Sequence, residues 1–340
     1  MHIPENYLSP ASCAVMTAAM LPVWRNAVKN VDIKLAKEKI PLLGVGASFS
    51  FLAMMFNLPL PGGTTGHAVG GTLIAILLGP DAACIALSVA LLLQAVIFGD
   101  GGILSFGANA FNMAFVLPYL GYYIYSIIKK IFRNNKNAAF TEKLATAIGS
   151  YIGINAAAFC AAVEFGLQPM LFKDKMGNAL YCPYDLSISI PAMMIAHLTV
   201  AGIVEAIFSV AVSSFVRKSS ESYIYTENST YEKKNSYRGV FLLIAALIAA
   251  TPLGLLADGS AWGEWGAEEL ADIVTGGKTL RVIPKAIAEG WSLNSLLPDY
   301  SVSGMNEITG YILSAIIGVA LLIIIFKLIA IVFRRPKYAS

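Results

Sequence analysis

Apolar residues recur along this chain in runs of roughly 13 to 29, separated by short polar stretches. A helix needs about 20 apolar residues to cross a hydrocarbon core of about 30 Å, so each run is near a membrane-spanning length. Nine spans are predicted, over about 9–24, 40–58, 67–79, 82–98, 106–128, 143–167, 188–216, 239–256 and 308–333. Only Gly79, Pro80 and Asp81 separate the third run from the fourth, so these two also fit one broken unit. The predicted fold class is all-α: a polytopic membrane helical bundle of about seven spans plus a fused two-span module.

The polar stretches divide the chain. Residues 217–238, rich in Ser, Tyr, Glu, Lys and Asn, read as a linker between a domain over 1–216 and a module over 239–340. Within that module, about 257–307 forms an acidic segment between two spans, with Asp258, Glu264, Glu268, Glu269, Asp272, Glu289, Asp299 and Glu307.

Composition agrees with a membrane solvent. Hydrophobic residues make up 57% and charged residues 13%, against roughly 45–50% and about 25% in soluble domains. Mean hydropathy is +0.67. The net charge of +3 is too small and too scattered to point to nucleic acid, and its placement reports topology instead. The inter-span stretches after spans one, five and seven, with the C-terminus, collect 19 of the 24 Lys and Arg, which places that side in the cytoplasm. The N-terminus is then outside and the C-terminus inside. No basic stretch precedes the first apolar run, so no cleaved signal is expected.

Candidate chemistry is sparse. Cys13, Cys84, Cys160 and Cys182 stand far apart without CxxC spacing and read as buried apolar residues. Gly276-Gly277-Lys278-Thr279 resembles the end of a phosphate-binding loop, but Asp272 stands where its first glycine is required. HExxH is missing, and so is GxSxG at a strand-to-helix turn, so an enzyme is not expected.

The chain has three histidines, His2, His67 and His197. His2 beside a free Met1 amine forms a chelate: the amine, the His2 amide nitrogen and the imidazole Nδ1 close a five-membered and a six-membered ring. Three coplanar nitrogens leave one in-plane position for an imidazole. His67, at the end of Pro61-Gly62-Gly63-Thr64-Thr65-Gly66-His67, is the candidate for it. Four nitrogens in a plane suit Ni(II) or Cu(II) rather than Zn(II). Each of these histidines taken alone also fits an ordinary exposed residue.

His197 lies within the seventh run with Glu205 eight residues on, which places both on roughly one helix face. They read either as a packing pair or as residues supporting a site or its conformational change. Asn109, Glu164, Asn112 and Asn155 fit interhelical hydrogen bonding, and Asn109 also fits a supporting place beside a site.

The start Met1-His2-Ile3-Pro4-Glu5-Asn6-Tyr7-Leu8-Ser9-Pro10, with the glycine-rich loop ending at His67, resembles the nickel and cobalt substrate-capture components of energy-coupling-factor transporters over about 1–216. The final module resembles their two-span accessory subunit, through Leu255-Leu256-Ala257-Asp258-Gly259 and Trp262-Gly263-Glu264-Trp265-Gly266, although Ala257 stands where relatives carry proline. The resemblance implies metal held by Met1, His2 and His67, no cofactor, Ni(II) or Co(II) as cargo, and nickel ahead of cobalt. It also implies a membrane coupling protein and two cytoplasmic ATPases as partners, in the cell membrane of a prokaryote. The chain lacks a nucleotide site of its own. Ala14 and Ala18, with Ala11 and Ala19 nearby, form a small-residue surface suited either to a partner helix or to packing within the chain. A self-sufficient secondary permease and a membrane metal sensor are the competing readings.

Overall fold

The computed structural model describes residues 1–34, 40–60, 64–219, 238–257, 259–275 and 283–332. Most of the predicted linker 217–238 lies outside the described residues, as do Pro61-Gly62-Gly63, Asp258 and Gly276-Gly277-Lys278-Thr279. Among the described residues the structure is mostly helical, at 74%.

In order come α1 (Pro10–Lys34), α2 (Ile40–Met54), a hairpin of β1 (Leu58–Leu60) and β2 (Thr64–Gly66), α3 (Gly71–Leu78) and α4 (Pro80–Leu93), which runs on as a π-helical turn through Phe98. Next are α5 (Phe106–Asn109), a π segment (Ala110–Val116), α6 (Leu117–Ile131), α7 (Ala138–Leu171), α8 (Leu186–Ala196), a second π segment (His197–Ala201) and α9 (Gly202–Ser219). The final module holds α10 (Arg238–Ala250), α11 (Ala267–Thr275), α12 (Lys285–Glu289) and α13 (Glu307–Val332).

Six stretches among the described residues are long and apolar enough to cross a membrane: Pro80–Phe98, Phe106–Ile131, Ala138–Leu171, Leu186–Lys218, Arg238–Leu256 and Glu307–Val332. Three of the nine predicted runs fall short of that measure of length and composition. α1 has the length but carries Arg25, Asn26 and Lys29 in its second half. α2 is apolar but has only 15 residues. α3 has only 8, about 12 Å at 1.5 Å per residue, and ends at Gly79, whose φ of 92° turns the chain straight into α4.

α7 lies among α6, α8 and α9. Its alanines 145, 157, 158, 161 and 162 are fully buried, so the neighbouring backbones approach closely, as membrane helix packing requires. At one end of this bundle Glu142 pairs with Lys129 at 2.8 Å and with Arg217, which ties together two of the stretches predicted to be cytoplasmic.

The second module packs onto the first through α13 and α2. Phe51, Phe98, Tyr300 and Tyr311 form a ring cluster across the junction, with Phe98 stacked on Tyr300 at 4.8 Å. The Tyr311 hydroxyl donates to the Met55 carbonyl at 2.8 Å. On α1, by contrast, Ala11, Ala14, Ala18 and Ala19 are all exposed.

Candidate metal centre

The first nine residues are inserted into the protein. Met1, His2, Ile3, Tyr7, Leu8 and Ser9 are all buried, Ile3 completely. Burying a side chain the size of isoleucine is worth about 1.5–3 kcal/mol, so the apolar residues of this segment hold it in place.

Directional bonds then set its register. Asn109 grips Ile3 on both sides: its Oδ1 accepts from the Ile3 amide at 2.7 Å and its Nδ2 donates to the Ile3 carbonyl at 3.1 Å. That carbonyl also accepts from the Ser105 hydroxyl and the Gly102 amide. Glu5 accepts from the Ile103 amide at 2.6 Å, and burial raises its carboxyl pKa against the pull of the Ile103 and Leu104 amides. A Cβ on Gly102 would fall 2.5 Å from Ser105 Oγ and 2.7 Å from the Glu5 nitrogen, so only glycine lets the segment lie this close.

The consequence is a fixed location for residues 1 and 2. The Met1 ammonium pairs with Glu264 Oε1 at 2.7 Å. His2 Nδ1 meets Asp100 Oδ1 at 2.7 Å, and the rings of His2 and His67 stack with centroids 5.1 Å apart. Ligand atoms of His2, Asp100 and Glu264 lie within 4.8 Å of one another. They line a polar cavity of about 440 Å³ together with His67, Asn57, Thr65 and Tyr300.

Proton positions follow from the partners. The Asp100 carboxylate takes His2 Nδ1 and leaves Nε2 without a partner. His67 Nδ1 faces the Ala68 carbonyl at 3.2 Å, which likewise leaves Nε2 bare. Both Nε2 atoms are buried without a hydrogen-bond partner among the described residues. Burial, then the Met1 amine and His2, hold the His67 pKa well below its usual value, so the ring is a neutral donor. Burial alone would raise the Asp100 carboxyl. The His2 ring, its hydrogen bond and the Tyr300 hydroxyl outweigh that, and hold Asp100 well below the usual carboxylate range.

This donor set is what a nitrogen-preferring divalent cation takes: an amine, two imidazoles and two carboxylates to balance charge. Two atoms of the predicted chelate have other partners here: the Met1 amine is paired with Glu264 and Nδ1 of His2 is bonded to Asp100.

Comparison with known proteins gives the family. Residues 2–223 match the CbiM family, described as the cobalt uptake substrate-specific transmembrane region. The chain belongs to this family. Residues 238–335 match the PDGLE domain. A probable fused nickel transport protein, LarMN, of Lactiplantibacillus plantarum is 48% identical over 96% of this chain and 97% of its own length. The fused nickel transport protein NikMN of Rhodobacter capsulatus is 43% identical over 95% of both. A crystal structure of a transition metal transporter, 54% identical, superposes with a TM-score of 0.60 over 64% of this chain and 93% of that one.

Within this member of the CbiM family, the other predicted residues are placed as follows. Asn109 is the clamp on Ile3. Glu205 accepts from the Val69 and Gly70 amides, just beyond His67. His197 bonds the Met193 carbonyl at 2.8 Å, one turn back, and is not paired with Glu205. Eight residues rise about 12 Å along a helix at 1.5 Å per residue, which is beyond direct reach of the two side chains.

Asp100, Glu264 and Tyr300 were not foreseen as site residues. Asp100 sits in Gly99-Asp100-Gly101-Gly102, a glycine-rich stretch like the one before His67, and that likeness was the available signal. Glu264 and Tyr300 come from the second module. Tyr300 donates to Asp100 and accepts from Gln94 Nε2 at 2.8 Å.

The Asn109 clamp has a measurable consequence. Asn109→Ala leaves the buried Ile3 amide without its acceptor, which costs about 1–3 kcal/mol. A lower melting temperature and a weaker nickel titration are expected together, and unchanged nickel affinity would show that the register of residue 2 does not depend on this bond.

Proposed function

We propose that this chain captures Ni(II), and Co(II) less well, on the outer face of a prokaryotic cell membrane and delivers it inward as the substrate-specific subunit of an ATP-driven complex. The observation that carries this reading is the convergence of His2 and His67 on one polar cavity, with the Met1 amine held by Glu264 of the same cavity wall. The names of the fused nickel transport relatives support the cargo.

The ligands are Met1, through its amine, His2, through its amide nitrogen and Nδ1, and His67, through Nε2. To form this plane the amine leaves Glu264, and His2 Nδ1 leaves Asp100, with protons expelled as the cation enters. Both carboxylates then lie beside a dication instead of an ammonium and an imidazole, and their negative charge favours it there. A plane of four nitrogens favours Ni(II) over Co(II).

The N-terminus is outside and the C-terminus cytoplasmic. The partners are a membrane coupling protein and two cytoplasmic ATPases. The exposed alanine face of α1 supports a close helix contact with the coupling protein. Capture outside and release inside need two states of different metal affinity, and the ATPases supply that difference.

Titration of the full chain, without an N-terminal tag, with nickel and cobalt salts tests the capture step, and the expected order is nickel tighter than cobalt. Cellular nickel accumulation, with and without the coupling protein and ATPases, tests the rest. Accumulation driven by this chain alone would establish a permease, and binding without accumulation a sensor.

A further inference from the structure

Glu205 is a fully buried carboxylate on a membrane helix, and its partners are backbone rather than a cation. Oε2 accepts from the Val69 amide at 2.8 Å, and the Gly70 amide donates to both oxygens at 3.0 and 3.1 Å. The Val69 amide belongs to the same peptide unit as the Ala68 carbonyl, and that carbonyl faces His67 Nδ1 at 3.2 Å. A continuous line results: carboxylate, peptide N–H, peptide C=O, imidazole N–H. The far end of the imidazole is the bare, buried Nε2.

The turn is fixed from its other side too. Ser50 donates to the Val69 carbonyl at 2.7 Å. Gly70 has φ of +71°, and a Cβ there would meet the Phe49 ring at 2.7 Å, so the chain is pinched between α2 and α9 where only glycine fits. α9 carries Glu205 near one end and Arg217, bound to Glu142, near the other.

We infer that Glu205 is a positioning residue for the metal site: it acts through the Ala68–Val69 peptide to hold His67 in place and to keep its proton on Nδ1, so that Nε2 faces the metal. This rests on the reading of His67 as a ligand. Metal-bound histidines ordinarily give their other N–H to a carboxylate or carbonyl, and losing that partner costs about 10–100-fold in affinity. Here both kinds of partner are in series, and the carboxylate polarises the carbonyl through the peptide between them.

Glu205→Gln keeps the shape and turns an amide group towards N–H donors that want an acceptor. In nickel titrations of the full chain, untagged at its N-terminus, it is expected to weaken binding by about 10–100-fold with unchanged helicity and elution. The deciding arm is the double variant. In a His67→Ala background Glu205→Gln is expected to add no further loss, because the residue acts through His67. Glu205→Asp, which keeps the charge but cannot reach both amides, is expected to fall between wild type and Glu205→Gln, and it serves the same cycle if Glu205→Gln fails to fold. Wild-type affinity in Glu205→Gln, or an equal loss with and without His67, overturns the inference while His67→Ala still weakens binding. His67→Ala with no effect removes the metal site itself, and this inference with it.

Discussion

One extra residue ahead of Met1 is expected to lower nickel affinity by at least about a hundredfold, the upper end of what losing a supporting residue costs, because it removes a ligand outright. The amine becomes a peptide nitrogen, which must lose its amide proton before it can ligate, and the free amine moves away from the position it holds beside Glu264. Geometry adds to chemistry here. Met1 and His2 are 4% and 2% exposed and Ile3 is fully buried, so added chain cannot be housed without drawing His2 away from Asp100 and His67. Glu264 is left without its ammonium partner as well. Titration of the extended and native chains with nickel decides the matter, and equal affinities would sink the chelate. The extended chain is expected to keep its helicity, since the spans do not depend on residue 1.

Which parts of this fold were legible in the sequence follows from the solvent. In a bilayer every backbone amide must be satisfied within its own segment, so long apolar runs become helices with little ambiguity. The runs that became Phe106–Ile131, Ala138–Leu171 and Glu307–Val332 carried that signal plainly. α3 carried it misleadingly. Its residues are as apolar as a span because they are buried in protein, and hydropathy cannot tell protein from lipid. The two π segments left no trace in the periodicity.

The site was legible only where its chemistry is local. Met1 and His2 are adjacent, so their rings could be drawn from covalent geometry alone. His67 was reachable through the glycines before it. Asp100 meets His2 across 98 residues, Glu264 meets Met1 across 263 and Tyr300 joins through Asp100, and a carboxylate in an acidic outer segment looks like any solvated charge until packing selects it. The second module therefore contributes contacts at the metal centre that its own sequence gives no reason to expect.

His67→Ala is expected to weaken nickel binding strongly but less than the N-terminal extension does, and this ranking separates two arrangements that the structure allows. In the chelate, His67 supplies one nitrogen of four and water can take its place, so the three linked donors of Met1 and His2 retain the ion. The observed hydrogen bonds point to a rival in which the two inward Nε2 atoms of His2 and His67 hold the metal with carboxylate help. There the amine is not a ligand, the extension does little, and loss of His67 removes half of the nitrogen donors. Visible absorption separates the two independently, because a plane of four nitrogens around Ni(II) gives a different d–d band from a mixed nitrogen and oxygen set. Extension worse than His67→Ala, with a planar spectrum in the native chain, supports the chelate. The reverse order assigns the site to the imidazole pair, and Asp100 and Glu264 become ligands rather than the partners that His2 and Met1 leave.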